Sequence, residues 1–480
     1  MRVLLMVPNF HWTSLDAQFL WHYLPYNLCL LAAMIEDECE VSILDAFARN
    51  LSPDDIRAIL RRERPDLVGV TVLMNQCASA GHQTLALVKE ELPDCRTAIG
   101  GVYATVNPDH AMQDPHVDYT FVGEGEYSLR DLIRHLSGKG PFPERGVWFR
   151  RNGAIERRGR SDLIADLDVL PRPAYHLIDF SSYANSISRV TVDGPAVFPN
   201  ARISTSRGCP YGCTFCQVEA ISGRRFRGRS AGNILDEIAW LKSEYGIRSL
   251  TFDDDNLHTD RQRAIDLFRG MIERGLAMPW KSIATAVFRL DEEQVDLMRE
   301  SGCVYVDIAI ESGTPAIRRN FVGKPLDLDH AARIIRYLRE KGIFVAANII
   351  MGFPTETWEE IRESLRVVEL LEVDYVKLFP LVPLRHTKVW DTCVECGLIP
   401  QDMTDDRLNW NYGNLNTPEF SAAELSILRA FEWDRINFSS PEKRRRTAEM
   451  MNITLEELER IRRATRRNAC RKAGRTPIPD

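Results

Sequence analysis

The sequence predicts an α/β protein in two successive parts. An N-terminal open parallel Rossmann-like sheet is followed by a partial (βα)6 TIM-like barrel and a C-terminal helical segment. Three observations carry this reading. Short apolar runs alternate with helical patterns near the start, and again from about residue 196. Between the two series the pattern breaks. The second series holds about six strand–helix units, short of the eight that close a barrel. The expected division is 1–140 for the sheet, 141–195 for a connector, 196–395 for the barrel and 396–480 for the helical region. A chain of 480 residues is too long for one small core, which suits this division.

In the first series, residues 3–7, 40–44, 67–73, 96–99 and 119–122 read as strands, being short apolar runs bounded by turn residues. Residues 28–35, 54–64 and 81–91 read as helices, with Pro53 near the first turn of the second. Strands alternating with helices imply right-handed crossovers and a parallel sheet. Gly100-Gly101 and Gly123-Glu124-Gly125 then fall at its carboxyl edge, where open sheets bind ligands. In the connector, Arg151-Asn152-Gly153-Ala154 is a hairpin signal, and Leu170-Pro171-Arg172-Pro173 excludes helix or central strand. This stretch is expected to pack on both neighbours.

In the second series, strands are expected at 201–206, 249–252, 280–285, 304–310, 344–351 and 375–379, with helices at 233–244, 260–274, 291–301, 329–341 and 358–371. After about residue 400 the strand signal fades. Residues 421–438 and 441–467 look helical and charged, Thr454–Glu457 fits a capping box, and 473–480 reads as a tail.

Composition narrows the function. Hydrophobic residues at 44% and charged residues at 27% exclude a disordered chain, and 11 cysteines are too sparse for a disulfide scaffold. A net charge of −7 gives no global fit to nucleic acid. No run is long and apolar enough to span a membrane, and MRVLLMVPNF reads as a buried strand rather than a signal peptide. A cytoplasmic enzyme using its cysteines for thiol or metal chemistry is the expectation.

Cys209, Cys213 and Cys216 form C-x3-C-x2-C in SRGCPYGCTFCQ, directly after the first strand of the second series. Three thiolates within eight residues can wrap one small metal centre, and a four-iron cluster held by three leaves one iron open. The competing readings are three unrelated cysteines, or a zinc loop without its fourth ligand. Cys393 and Cys396 form a separate C-x2-C pair, read as two incidental thiols rather than an auxiliary metal site.

This loop, with Phe215 before the third cysteine and a six-unit partial barrel around it, resembles the radical S-adenosylmethionine (SAM) enzymes. The resemblance implies a [4Fe-4S] cluster on the three cysteines, with SAM chelated at the open iron. An electron then cleaves SAM to methionine and a 5′-deoxyadenosyl radical. It also implies SAM contacts at the other strand ends. Asp253, Asp254 and Asp255 would offer an acceptor to the methionine ammonium, although they replace the common Gly-Gly-Glu form and leave open which Asp acts. Glu311 and Ser312 would meet the ribose, and the segment from Asn348 through Gly352 to Glu356 the adenine. Taken alone, the Asp run is a helix cap and Gly-Phe-Pro a turn; their order after the cysteine loop gives them weight.

The preceding α/β domain resembles the cobalamin-binding domain of class B radical SAM enzymes. The matching pieces are Pro8-Asn9, Leu24-Pro25-Tyr26-Asn27, Gly100-Gly101-Val102-Tyr103-Ala104-Thr105, Val122-Gly123-Glu124-Gly125-Glu126 and the Leu-Pro-Arg-Pro linker. Glycines at strand ends let backbone approach a flat corrin, and the small residues 78–81 leave room beneath a ring. No Asp-x-His-x-x-Gly segment marks an axial histidine. His82 and His110 read as surface or capping residues, and Leu73 or Met74 is expected beneath the cobalt. The bland reading is a sheet that serves only as scaffold or holds another ligand.

The leading function is a cobalamin-dependent radical SAM methyltransferase acting on an unactivated carbon of a small molecule or natural product. The alternative is a non-methylating dehydratase, cyclase or other carbon-skeleton enzyme. A third reading, a non-catalytic metal-binding interaction protein, conflicts with the ordered strand ends. Glu219, three residues past Cys216, and Tyr305 are the catalytic candidates, with Lys377, Arg385 and His386 as further pocket residues. The expected partners are a small-molecule substrate and an external one-electron reductant of flavodoxin or ferredoxin type. The Arg-rich runs at 443–446 and 460–467 read as solvated helix faces, not a nucleic-acid surface, and Trp410, Tyr412 and Trp433 as cover for the open side of the barrel.

Overall fold

The computed structural model describes residues 1–13, 24–185, 194, 197–403 and 408–474, so the expected tail lies outside them from residue 475 on. The chain divides into two compact units, Met1–Val190 with Ala220–Gly223, and Thr191–Glu219 with Arg224–Asp480.

In the first unit, strands β1 (Arg2–Val7), β2 (Glu40–Asp45), β3 (Leu67–Thr71), β4 (Arg96–Gly100) and β5 (Tyr119–Phe121) are parallel, in the order β2-β1-β3-β4-β5. The sheet is apolar on both faces. Leu4, Met6, Val68 and Val70 pack against helices Pro53–Glu63 and Ala78–Glu91. Val3, Leu5 and Leu67 pack against helices Tyr26–Ala33 and Glu126–Leu136. Double coverage is why these strands read as unbroken apolar runs. Ser52 and Asp55 form a capping box with Pro53 in the first turn, which fixes where the second helix starts.

The hairpin expected within the connector belongs instead to this sheet. Strands β6 (Val147–Arg151) and β7 (Ala154–Glu156) are joined by Asn152 and Gly153, both at positive φ, and β6 pairs antiparallel with β5. The N-terminal sheet is therefore mixed and seven-stranded rather than purely parallel. The physical reason lies in the residues before the turn: Val147 and Phe149 are buried at every second position, so the segment has a core face of its own.

In the second unit, β8 (Asn200–Ile203) is followed by a two-residue ribbon, β9 (Ser206–Arg207) with β10 (Arg227–Gly228). Then come β11 (Ser249–Phe252), β12 (Trp280–Thr285), β13 (Cys303–Glu311), β14 (Phe344–Met351) and β15 (Tyr375–Pro380). The six strands β8, β11, β12, β13, β14 and β15 are parallel, each beside the next in that series, as the sequence predicted. Helices Ala231–Tyr245, Arg261–Glu273, Glu292–Ser301, Leu328–Glu340 and Trp358–Leu370 make the crossovers. Ser230, Asp260, Asp291, Asp327 and Thr357 cap them, each side chain accepting a first-turn N–H, a contact worth about 1 kcal/mol.

The free edge of β15 is covered by helix Ala422–Phe438. Asn437 accepts the Val376 N–H at 2.7 Å and donates to the Val376 carbonyl at 2.9 Å, and Arg429 donates to the Leu378 carbonyl at 2.9 Å. Side chains thus stand in for a missing neighbour strand. Trp433 donates to the Tyr375 hydroxyl at 2.7 Å, as expected of a covering residue, whereas Trp410 is 38% exposed. The Arg-rich C-terminal helix forms ion pairs within the chain: Arg462 grips Asp434 at 2.7 and 3.0 Å, and Arg466 reaches the same carboxylate. Among the described residues no helix is long and apolar enough to cross a membrane.

Candidate functional site

The three cysteines lie in the loop between β9 and β10, which close its base as a ribbon. Asp254, fully buried at the end of β11, ties that base to the sheet. Its Oδ1 accepts from the Thr205 N–H at 3.1 Å, the Thr205 hydroxyl at 2.8 Å and the Ser206 hydroxyl at 2.5 Å. On the far side, the Thr214 N–H and hydroxyl donate to the Phe321 carbonyl at 2.9 and 3.1 Å, and the Thr214 carbonyl accepts from the Val389 N–H at 2.9 Å. Phe215 turns away from the loop into an apolar cluster, its ring 6.0 Å from Phe353, which stacks on Phe321 at 4.9 Å. The aromatic residue before the third cysteine therefore anchors the loop. Gly323 touches it from above: a Cβ there would lie 2.3 Å from the Gly212 carbonyl carbon and 2.8 Å from the Cys213 nitrogen. Only glycine allows two backbones this close.

A backbone N–H near each cysteine sulfur favours its thiolate: Tyr211 at Cys209, Gly323 at Cys213 and Val218 at Cys216. Burial pushes all three thiols up, Cys216 to about 12. A cationic centre that binds them must therefore displace protons. Among the described residues no three His, Cys, Asp or Glu side chains converge as ligands of one ion. A cubane asks for something else, one thiolate per iron around a shared volume. Three N–H-supported sulfurs on one tight loop fit a [4Fe-4S] cluster with one open iron, and lack the fourth donor that a tetrahedral zinc needs.

The acidic run at the end of β11 separates into three environments. Asp253 forms a two-pronged pair with Arg202 at 2.8 and 2.6 Å. Asp254 is the internal tie just described, and burial raises its carboxyl. Asp255 is accessible to solvent yet closely surrounded by protein. It accepts the Gly208 N–H, and burial together with the charge of Asp254 raises its carboxyl to about 6. Of the three, Asp255 is the one in the electrostatic surroundings of Cys209 and Cys216.

Glu311 ends β13 at a bulge, with φ of +64°, a left-handed backbone uncommon for a non-glycine residue. Its carboxylate meets Lys324 at 2.7 Å. Burial works against the Lys324 ammonium, but Glu311 and the sulfurs of Cys213 and Cys216 hold it above the ordinary lysine range. Ser312 is withdrawn into the fold, bonded to Thr314 at 3.2 Å and Ser364 at 3.1 Å. It shapes the turn and offers no surface to a ligand. On β14, the Asn348 side-chain oxygen is buried with no hydrogen-bond partner. Gly352 follows at φ +91°, and Glu356 folds back to accept the Gly352 and Phe353 N–H groups at 2.6 and 3.1 Å. Burial raises Glu356 to about 8.

The catalytic candidates part company. Glu219 joins Cys213, Cys216, Arg224, Arg385 and His386 around a cavity of about 460 Å³ beside the cysteine loop. Tyr305 lies six positions before Glu311 on β13, roughly 20 Å along the strand. It is fully buried and donates to Asp307 at 3.0 Å, while Lys377 pairs with the other Asp307 oxygen at 2.8 Å. The structure thus places Tyr305 and Lys377 in the barrel interior, apart from the cysteines.

In the first unit, the strand order changes direction between β1 and β3, and ligands bind open sheets at such a switch point. Leu73, just past β3, is 45% exposed, and Met74 is half-buried. The next two side chains, Asn75 and Gln76, are buried with an unpartnered oxygen and nitrogen respectively. An exposed apolar side chain beside unpaired amides fits a corrin, which presents a flat apolar ring fringed with amides. Gly101 has φ of +90° and a Cβ there would meet the Val72 carbonyl oxygen at 2.6 Å, so backbone alone occupies this edge. Gly100 ends β4, and Gly123 and Gly125 flank Glu124 after β5. Glu124 is engaged, accepting the Ile164 N–H at 2.7 Å. Gly81 does not leave room for a ring, contrary to expectation: its missing Cβ lets helix Ala78–Glu91 close onto Val72. Both nitrogens of His82 are occupied, by Asp114 at 2.7 Å and Tyr103 at 2.8 Å, so it is no free axial ligand.

Sequence reasoning missed Lys324, Gly323 and Asp307, and took Glu356 only as the end of the 348–356 segment. Glu356 had a signal, since an acid four residues past a strand-end glycine can cap its turn. Lys324 had none, because only the fold brings it back to a strand end 13 positions earlier.

Two family models match the chain, the radical SAM superfamily over residues 203–368 and the B12 binding domain over residues 16–133. The chain is 31% identical to cytidylyl-2-hydroxyethylphosphonate methyltransferase of Streptomyces wedmorensis, over 82% of each chain. It is 29% identical to an uncharacterized methyltransferase of Pyrococcus horikoshii, over 78% of this chain and 79% of that one. Its fold matches the cobalamin-dependent S-adenosylmethionine radical enzyme OxsB, solved with aqua-cobalamin and S-adenosylmethionine bound. There the TM-score is 0.72 at 17% identity, covering 97% of this chain and 71% of that one.

Proposed function

The chain belongs to the cobalamin-binding radical SAM enzymes, and from that premise we propose that it is a methyltransferase acting on an unactivated carbon of a small molecule. The observation that carries the proposal is the pairing of two sites in one chain: a three-cysteine loop with N–H-supported sulfurs, and a sheet edge with an exposed Leu73 beside unpaired amides. When bound, the cluster supplies the electron that splits SAM and the corrin relays a methyl group.

The chain's own residues have these roles. Cys209, Cys213 and Cys216 hold the cluster, and Phe215 fixes their loop. Asp255 accepts from the methionine ammonium, because Asp253 and Asp254 are committed to Arg202 and to the loop base. Glu311 accepts from ribose hydroxyls. Asn348 and the backbone of Gly352 hold the adenine edge, with Ser312 and Glu356 shaping the turns that present them. Leu73 or Met74 would face the corrin, Asn75 and Gln76 would bond its amides, and Gly100, Gly101, Gly123 and Gly125 would admit its edge. Glu219 is the acid–base candidate, at the cavity beside Cys213 and Cys216. The enzyme works in the cytoplasm with a flavodoxin- or ferredoxin-type reductant.

The test is anaerobic reconstitution with iron, sulfide and hydroxocobalamin, followed by SAM, a reductant and cytidylyl-2-hydroxyethylphosphonate as first substrate. Retained corrin, with S-adenosylhomocysteine formed alongside 5′-deoxyadenosine, supports the proposal. Formation of 5′-deoxyadenosine alone, on a protein that retains no corrin, would refute it in favour of a non-methylating enzyme.

A further inference from the structure

Helix Pro315–Phe321 ends in a segment that returns to the cysteine loop. Phe321 receives two hydrogen bonds from Thr214, and Gly323 lies in backbone contact with Gly212 and Cys213. The next residue is Lys324. Its side chain is withdrawn from water: 14% of it is exposed, against 9% for its partner Glu311. The electrostatic neighbours of its ammonium are Glu311, Cys213 and Cys216.

A buried cation requires a partner, and Glu311 supplies one at 2.7 Å. A structural ion pair does not need to sit beside two cluster ligands, however. Reducing an iron–sulfur cluster adds one negative charge to it. A fixed positive charge in a poorly screened site favours that reduced state, and net charge and hydrogen bonds to sulfur are what tune such potentials. From this placement we infer that Lys324 is a positioning residue for the cluster's charge: its ammonium, held by Glu311, raises the reduction potential of the centre on Cys209, Cys213 and Cys216. The inference rests on the cluster assignment above and adds to it a residue outside the cysteine motif.

The experiment is a potentiometric titration of the reconstituted full-length protein, without SAM, followed by electron paramagnetic resonance, with iron per chain measured in each sample. Lys324→Gln should take up iron and show a midpoint shifted to more negative potential. Lys324→Arg, which keeps the charge, should restore the wild-type midpoint. Glu311→Gln should shift it the opposite way, and decides the matter if Lys324→Gln fails to hold iron. An unchanged midpoint in the iron-loaded Lys324→Gln protein, or a loss of SAM affinity with no shift in potential, would overturn the inference. Failure of the wild-type protein to assemble any cluster would instead remove the cluster assignment itself.

Discussion

Gly323→Ala is the smallest change that probes how the cysteine loop is held. The added Cβ would lie 2.3 Å from the Gly212 carbonyl carbon, 2.5 Å from its oxygen and 2.8 Å from the Cys213 nitrogen, where ordinary contacts begin at 3.4 Å. All three atoms are backbone, so no side chain can swing aside, and the segments must part by about 1 Å. Overpacking of this kind costs about 1–3 kcal/mol. Separation also loosens the two Thr214 bonds to Phe321, each worth about 1 kcal/mol. A local cost of about 3–5 kcal/mol raises the population of the opened loop by roughly two to four powers of ten. The assay is iron per chain after anaerobic reconstitution, with the rate at which air bleaches the cluster absorption. The variant should hold less iron and bleach faster, with unchanged circular dichroism. Gly232→Ala is the control, since a Cβ there meets nothing within 4 Å. A Gly323→Ala protein with full iron and wild-type air sensitivity would refute the reasoning.

Three further outcomes follow from the same contacts. Asp255→Asn removes a charge-assisted bond of about 2 kcal/mol and should weaken SAM binding roughly 30-fold by calorimetry, while Asp253→Asn, which breaks only the Arg202 pair, should leave it near wild type. Leu73→Asp places a charge at an exposed apolar position and should abolish corrin retention without lowering the melting temperature; retention of corrin would remove Leu73 from that site. Asp114 is half-buried, which alone would raise its carboxyl, but hydrogen bonds from His82 and His116 outweigh burial and hold it at about 2. A lowered folded-state pKa contributes stability above the unfolded value near 4, and that stability is lost as pH falls toward 2. Asp114→Asn should therefore cost about 2 kcal/mol at pH 7, with a gap to wild type that narrows by pH 3 in denaturant titrations.

The order of the elements was legible because apolar runs and their turn residues are local. Strands β13 and β14 stood where periodicity put them, and the cysteine loop was found from the spacing of its cysteines. The antiparallel edge was misassigned because the Asn152-Gly153 turn was weighed without the buried alternation of Val147 and Phe149. The candidate site was legible as far as the cysteine loop and the strand ends. Its selectivity among Asp253, Asp254 and Asp255 was not, because the three differ only in their partners, Arg202, Thr205 with Ser206, and Gly208. Tyr305 illustrates the same limit. Its residue type suits catalysis, but its depth on β13 depends on which end of the strand faces the cysteines.

The most direct measurement of the central claim is product analysis of the reconstituted enzyme given SAM with a labelled methyl group, beside Cys213→Ala. The account predicts that wild type forms both 5′-deoxyadenosine and S-adenosylhomocysteine, with label in the substrate, and that Cys213→Ala forms no 5′-deoxyadenosine. Equal 5′-deoxyadenosine from Cys213→Ala, or labelled substrate from enzyme that holds no corrin, would contradict it.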